Sequence, residues 1–301
     1  MEYKIFESSD TNVKKFVFEW GASAVTKKGI AEAVLYRYGE YAKRTVICCS
    51  VQSGCPVGCT FCGTGKFFVR NLDWHEIIEQ VTTVLSTIDC NTKDIEKFQI
   101  MFMSMGEPFL NYINLERAIE SLHDLYPNAQ LLVSTSAPST LYHAMSEFIE
   151  LSKRIPQVGL QFSVHESTDE ARAKLIPTKT CTPRQIAAAG EFWAANTGRK
   201  PFFNYCVHEG NDTEEDARRL YKLFRTDVWE TTLSVICEKD ETVKNSIDRQ
   251  IRLIRDFNRR LCELGFSTRV FNPAGQDDIG GGCGQLWYFQ DWLKHEGINK
   301  S

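Results

Sequence analysis

From about Arg44 onward the chain alternates between two hydrophobic rhythms. Residues 45–51, 98–104, 131–136, 158–164, 202–207 and 231–236 are short apolar or β-branched runs, the length and composition of buried strands. Between them the apolar positions recur every three or four residues: Ile77, Val81, Val84 and Leu85, then Leu115, Ile119 and Leu122. Leu141, Met145, Phe148 and Ile149 repeat the pattern, as do Ala217, Leu220 and Phe224. That spacing lines one face of a helix. Asp73 and Glu76 have the spacing of a capping box, and Thr182-Pro183 puts a cap before a proline at the first helical position. A last helical stretch, 243–264, ends at Gly265. Six strand–helix repeats in series predict parallel strands joined by right-handed crossovers. The expected fold is α/β, a barrel or an open barrel-like sheet, with chemistry at the C-terminal ends of the strands.

The two ends read differently. Phe16-Val17-Phe18-Glu19-Trp20 and Ala31-Glu32-Ala33-Val34-Leu35-Tyr36 are strand-like, and Gly39 marks a turn. Residues 1–43 are therefore expected to form a small β-rich appendage, 44–272 the barrel, and 273–301 a tail that is glycine-rich and then aromatic. With 43% hydrophobic and 25% charged residues the composition is that of a soluble globular protein. No apolar run approaches the roughly 20 residues of a membrane span. The N-terminus lacks the apolar core of a signal peptide, so the cytosol is the expected location. A net charge of −4 argues against extensive phosphate contact but leaves room for a local basic patch. Arg249, Arg252, Arg255 and Arg259 form such a stripe at helical spacing, opposite Ile247, Ile251 and Ile254.

Five of the eleven cysteines fall between Cys48 and Cys62. In a chain of this kind, such clustering indicates metal or redox chemistry rather than a disulfide scaffold. Cys55, Cys59 and Cys62 have the spacing C-x-x-x-C-x-x-C in the loop after the first predicted barrel strand. Three close thiolates suit an iron–sulfur cluster with one iron left open. A structural zinc site would want a fourth Cys or His at regular spacing, and none follows. The motif, with Phe61 before its last cysteine, resembles that of radical S-adenosylmethionine (SAM) enzymes, in which a [4Fe–4S] cluster binds SAM at the open iron. Gly106-Glu107-Pro108, after the second strand, supplies a carboxylate suited to the SAM ammonium. Ser134, in Ser134-Thr135-Ser136, and Ser163-Val164-His165 end the next two strands with polar groups for ribose and carboxylate.

Together these segments resemble the RlmN/Cfr family of radical SAM RNA methyltransferases, from roughly Glu32 to Leu286. Arg70-Asn71-Leu72, Met105-Gly106-Glu107-Pro108 and Asn211-Asp212 share in the likeness. So do Cys283-Gly284-Gln285-Leu286, preceded by Asp277-Asp278-Ile279, and a cysteine seven residues before the first cluster ligand, Cys48. The resemblance implies methylation of an adenine sp² carbon, carbon 2 first, in ribosomal or transfer RNA. In that chemistry Cys283 takes a methyl group from one SAM, and a second SAM yields a radical that activates it. Cys48 finally attacks the Cys283 sulfur and leaves a disulfide. Glu32 matches the family's base; Cys49, beside Cys48, should face the opposite side of its strand.

The likeness also implies an electron donor such as flavodoxin or ferredoxin and a monomeric protein. Two departures bear on the substrate. Only about 30 residues precede Glu32, so the family's helical N-terminal domain is expected to be absent or reduced to a strand pair. An asparagine that would contact SAM is replaced by Cys237. The alternative reading keeps the mechanism but changes the acceptor to DNA, a free nucleotide or another small heterocycle. A non-enzymatic, metal-stabilised RNA-binding protein is the third.

Overall fold

A computed structural model describes residues 1–23, 26–65, 67–234, 243–271, 279–280 and 287–295, with backbone alone at 243–250, 287, 290 and 293. Cys237, Asp277, Asp278, Cys283, Gln285 and Leu286, and the side chains of Arg249 and Ile247, lie outside the described residues.

The chain opens with three antiparallel strands, β1 (Glu2–Glu7), β2 (Val13–Trp20) and β3 (Gly29–Arg37). β3 pairs antiparallel with β4 (Arg44–Cys49), bringing Val34 opposite Cys48. The N-terminal strands are thus continuous with the main sheet. A short hairpin, β5 (Gln52–Gly54) and β6 (Phe68–Asn71), then precedes helix α1 (Trp74–Leu85). Asp73 caps α1 in the box the sequence predicts, with Glu76 returning the bond.

The alternation continues through β7 (Lys97–Phe102), α2 (Tyr112–Leu125), β8 (Gln130–Thr135) and α3 (Leu141–Arg154). Next come β9 (Val158–Ser163), a short α4 (Asp169–Leu175) and α5 (Pro183–Thr197), which Thr182 caps with Pro183 at its start. β10 (Phe202–Cys206), α6 (Glu214–Leu223), β11 (Glu230–Ser234) and α7 (Val243–Glu263) follow. β12 (Ser267–Phe271) adds a seventh parallel strand that the hydrophobic pattern does not announce, since most of it is exposed. The last helix is α8 (Trp287–His295).

Ten strands make one sheet, ordered β1-β2-β3-β4-β7-β8-β9-β10-β11-β12. Among the described residues β1 and β12 are not paired to each other, so the sheet is an open, partial barrel. Its helix-covered face is the main apolar core, with Ile47, Cys49, Ile100, Phe102, Val133, Phe162 and Phe203 against Val81, Ile119, Phe148 and Trp193. The other face is polar across β8 to β12, where Gln161 donates to Ser134, Ser234 to Asn204, and Arg269 to Thr232, and carries smaller apolar clusters over β2 to β4.

α7 differs from its predicted face. Ile254, Phe257 and Leu261 are buried, but Ile251 is 56% exposed. Among the described side chains, the apolar stripe therefore engages the core from Leu253 and Ile254 onward. No helix among the described residues is long and apolar enough to cross a membrane.

Candidate active site

The β5–β6 hairpin ties the base of the cysteine loop. Gln52 pairs with Asn71, Ser53 with Arg70 and Gly54 with Phe68, and the Cys55 N–H donates to the Phe67 carbonyl at 2.7 Å. Gly54 has φ +81°, and a Cβ there would lie 2.1 Å from the Phe67 oxygen, so the turn requires glycine. The segment after β9 braces the loop from the other side. Thr60 N–H donates to Leu175 O, and the Thr178 hydroxyl donates to Val57 O at 2.6 Å.

Within this frame Cys55, Cys59 and Cys62 are half-buried. Burial pushes the Cys55 thiol well up, helped by repulsion from Cys62, Glu107 and Cys59. Burial, then Cys62 and Glu107, push Cys59 up to about 12, with Arg172 opposing. Burial thus holds Cys55 and Cys59 as neutral thiols, and coordinated cations would reverse that by favouring the thiolates. Among the described residues, no three such side chains converge on one point as a single ion requires. A cluster does not require it, since each thiolate takes its own iron.

Glu107 sits at the end of β7 beside this loop. Gly106 before it has φ +99°, and a Cβ there would lie 2.6 Å from the Gln52 Cβ. Gln52 in turn accepts the Glu107 N–H at 2.9 Å. The Glu107 carboxylate is buried and accepts four bonds: Phe109 N–H and the Thr135 hydroxyl on Oε1, Ser136 N–H and hydroxyl on Oε2. Burial still raises its pKa against those bonds. The sequence assigns this carboxylate to the SAM ammonium; the fold adds that Thr135 and Ser136 already occupy it. Both hydroxyls can rotate, so an ammonium can replace their protons without a net loss of bonds.

His165 is buried, with a left-handed backbone at φ +61°. Its Nδ1 accepts the Cys206 N–H at 3.3 Å, and its ring stands edge-on to Phe61, centroids 5.6 Å apart. Burial, then the nearby Arg172 and His208, lower its pKa to about 3, so the ring is neutral. Ser134 is buried and Ser163 half-buried at neighbouring strand ends, and Val164 N–H is bound to Asn204 O at 3.0 Å. Asn211 is structural: its amide donates to His165 O and Cys206 O, tying two strand ends together.

Sequence reasoning misses Arg172, on the seven-residue α4. It is 2% exposed and donates to four carbonyls, those of Ser136, Ser163, Val164 and Cys181. One guanidinium thus gathers the ends of β8 and β9. Burial lowers its pKa to about 10, opposed first by Cys59. No spacing signal marks it, because its partners are all backbone. Also unannounced is the Glu166–His208 pair, 2.8 Å apart, in which the bond from Glu166 raises the histidine pKa against its burial.

Cys48 and Cys49 face opposite sides of β4, as a strand dictates. Cys49 lies in the main core; Cys48 packs on the inner face with Val34, Val46, Met101 and Ile279. Cys48 keeps some solvent exposure, yet the dense apolar surroundings push its thiol up to about 12. Glu32 lies on β3. It is fully buried, with Lys15 Nζ 2.6 Å from Oε2 and the Phe289 N–H 2.8 Å from Oε1. The Lys15 contact is an ion pair by distance without hydrogen-bond alignment at Oε2.

The Radical SAM superfamily model matches residues 49–224, more than half of the 301. The chain belongs to the radical SAM superfamily. A probable dual-specificity RNA methyltransferase RlmN from Koribacter versatilis is 34% identical over 81% of this chain and 69% of its own length. The corresponding protein of Dictyoglomus turgidum is 28% identical over 96% of this chain and 79% of its own. A radical SAM methyltransferase from Sphaerobacter thermophilus superposes with TM-score 0.73 at 27% identity, covering 94% of this chain and 79% of that one. Within the superfamily the chain is thus a member of the RlmN family, an enzyme of the radical SAM methyltransferase kind. The cofactors of radical SAM enzymes are a [4Fe–4S] cluster and SAM. The stapled loop with three half-buried thiols, beside Glu107 and the strand ends, suits both.

Of the basic stripe on α7, Arg252, Arg255 and Arg259 are exposed. Arg255 lies 3.7 Å from Asp256 and Arg259 3.0 Å from Glu263, so two of the three already have acidic partners.

Proposed function

We propose that this radical SAM enzyme methylates carbon 2 of an adenine in ribosomal or transfer RNA, through a methyl group carried on Cys283. Membership in the RlmN family supports the reading. The observation that carries it is the placement of Cys48 on the inner face of β4, in one apolar cluster with Ile279, four residues before Cys283. Cys55, Cys59 and Cys62 would hold the cluster. Gly106, Glu107, Ser134, Ser163, Val164 and His165 would hold SAM. When bound, the cluster and SAM supply a carbon-centred radical by one-electron cleavage, with flavodoxin or ferredoxin as electron donor.

The rest falls to the chain's own thiols. Cys283, as thiolate, would take a methyl group from one SAM by displacement, and a second SAM would be spent on activating it. Once the activated carbon is bonded to the ring, the adduct would lose the ring C2 proton to a base and one electron back to the oxidised cluster. Cys48 would then attack the Cys283 sulfur, break its bond to that carbon, which takes up a proton as the methyl group, and leave a disulfide between the two cysteines. With its thiol pushed up to about 12, Cys48 stays protonated and unreactive near neutrality. That suits a group that should act last, once substrate and proton acceptor are in place.

The test is anaerobic reconstitution with methyl-labelled SAM, a reductant and RNA, followed by mass spectrometry of the nucleosides. We expect labelled 2-methyladenosine from RNA, and a loss of at least about 100-fold in Cys283→Ala, the scale of removing a nucleophile. Label appearing only in DNA or free nucleotides would overturn the RNA assignment. Full activity in Cys283→Ala would sink the carrier role.

A further inference from the structure

One buried ion pair from the N-terminal strands holds the C-terminal part of the chain at two points. Lys15 on β2 and Glu32 on β3 are both 0% exposed. Lys15 Nζ donates to the Gly280 carbonyl and lies 5.3 Å from the Tyr288 ring centroid. Glu32 Oε1 accepts the Phe289 N–H. Phe289 is the third residue of α8, so this N–H is one of those a helix leaves without an internal partner. A carboxylate there is also favoured by the helix dipole. The backbone of Glu32 is fixed as well, its carbonyl accepting the Ser50 and Ser104 hydroxyls at 2.7 and 2.6 Å. Gly280 lies three residues before Cys283 and Phe289 six after it.

Apolar contacts alone could dock this segment. Phe289 is fully buried with Val17, Ile30 and Met105, and Tyr288 stacks on Phe6 at 3.9 Å. A buried ion pair adds little to stability that an apolar pair of similar size would not. What charges provide is direction: each of these two fixes one backbone atom. We propose that Lys15 and Glu32 form a clamp that sets the position of the segment bearing Cys283, which makes both of them positioning residues for its methylation. In this arrangement Glu32 is an anchor and not the base that takes the adenine proton, because its oxygens are engaged by Phe289 and Lys15. The proposal rests on Cys283 being the methyl carrier.

The experiment uses the full, reconstituted chain and two variants. Lys15→Met/Glu32→Met replaces the pair with apolar residues and leaves no buried charge behind. Glu32→Gln keeps an acceptor for the Phe289 N–H but cannot serve as a base. Three readouts are taken: amide hydrogen exchange across α8, methyl label on Cys283 by peptide mass, and 5′-deoxyadenosine from reductive SAM cleavage. In the double variant we expect α8 amides to exchange at least about tenfold faster and Cys283 labelling to slow at least about tenfold, with deoxyadenosine formation within about twofold. Glu32→Gln should retain at least about a third of the methylated product, whereas loss of a general base costs roughly 100-fold or more.

Unchanged exchange and labelling in the double variant would overturn the clamp. So would a parallel fall in labelling and deoxyadenosine, which marks a general structural defect. A 100-fold loss in Glu32→Gln with normal Cys283 labelling would restore Glu32 as the base. If the unaltered protein carries no methyl on Cys283, the carrier reading fails by itself, and the exchange data still decide whether the pair holds α8.

Discussion

Two adjacent cysteines with the same intrinsic chemistry occupy opposite faces of β4 and so have different prospects. Cys49 is sealed in the core, while Cys48 borders the inner face with a thiol near 12. Iodoacetamide at pH 8 should therefore leave Cys48 unmodified in the native protein while it labels the exposed Cys262. Mass-mapped alkylation checks this, and rapid labelling of Cys48 would refute its shielding. His165 makes a second residue-scale prediction. Its folded pKa of about 3 lies below the unfolded 6.5, so the unfolded chain binds the extra proton first. Its contribution is full above pH 6.5 and is lost as the pH falls toward 3. From pH 6.5 to 5 the loss is about 2 kcal/mol. His165→Asn, which tolerates a positive φ, should remove that part of the slope when urea melts are compared at the two pH values. Cys55, Cys59 and Cys62 and the glycine before Glu107 were legible as motifs. The four bonds that fill the Glu107 carboxylate were not, because they come from a strand end 28 residues away and from the next turn.

At the level of elements, what could be read depended on length. α1 was visible because a capping box and a three-to-four periodicity reinforce one another, and α5 because Thr182 caps it ahead of Pro183. The β5–β6 hairpin has strands of three and four residues and α4 only seven, too short for either period to register, yet these elements brace the cysteine loop. β12 escaped because an exposed edge strand carries no continuous apolar run. Packing between elements was equally hidden. Gly190 on α5 faces Trp229, which leads into β11, and a Cβ on Gly190 would lie 2.1 Å from the indole. Gly190→Ala gains up to about 1 kcal/mol of helix propensity but overpacks a fully buried ring, which costs typically 1–3 kcal/mol and more at such a distance. We expect net destabilisation of about 2 kcal/mol, read as a lower denaturant midpoint with unchanged slope. A stabilised variant would mean that the helix can withdraw from the sheet.

For the molecule as a whole, the cysteine loop is held by bonds that need no metal: the hairpin, Thr60 to Leu175 and Thr178 to Val57. The iron-free protein should therefore melt cooperatively with near-native far-UV circular dichroism, unlike small domains that fold only around their ion. An unfolded iron-free chain would contradict this. The Glu32–Phe289 bond also has a consequence in time, since its partners are 257 positions apart. A ribosome adding about 5–20 residues per second needs on the order of ten to fifty seconds to cover that distance. From the completion of β4 until residue 279 is added, β1 to β4 have been made while Ile279, which later joins the apolar cluster around Cys48, has not. In the proposed mechanism Cys48 is thus most vulnerable to oxidation during its own synthesis, before Cys283 has been made.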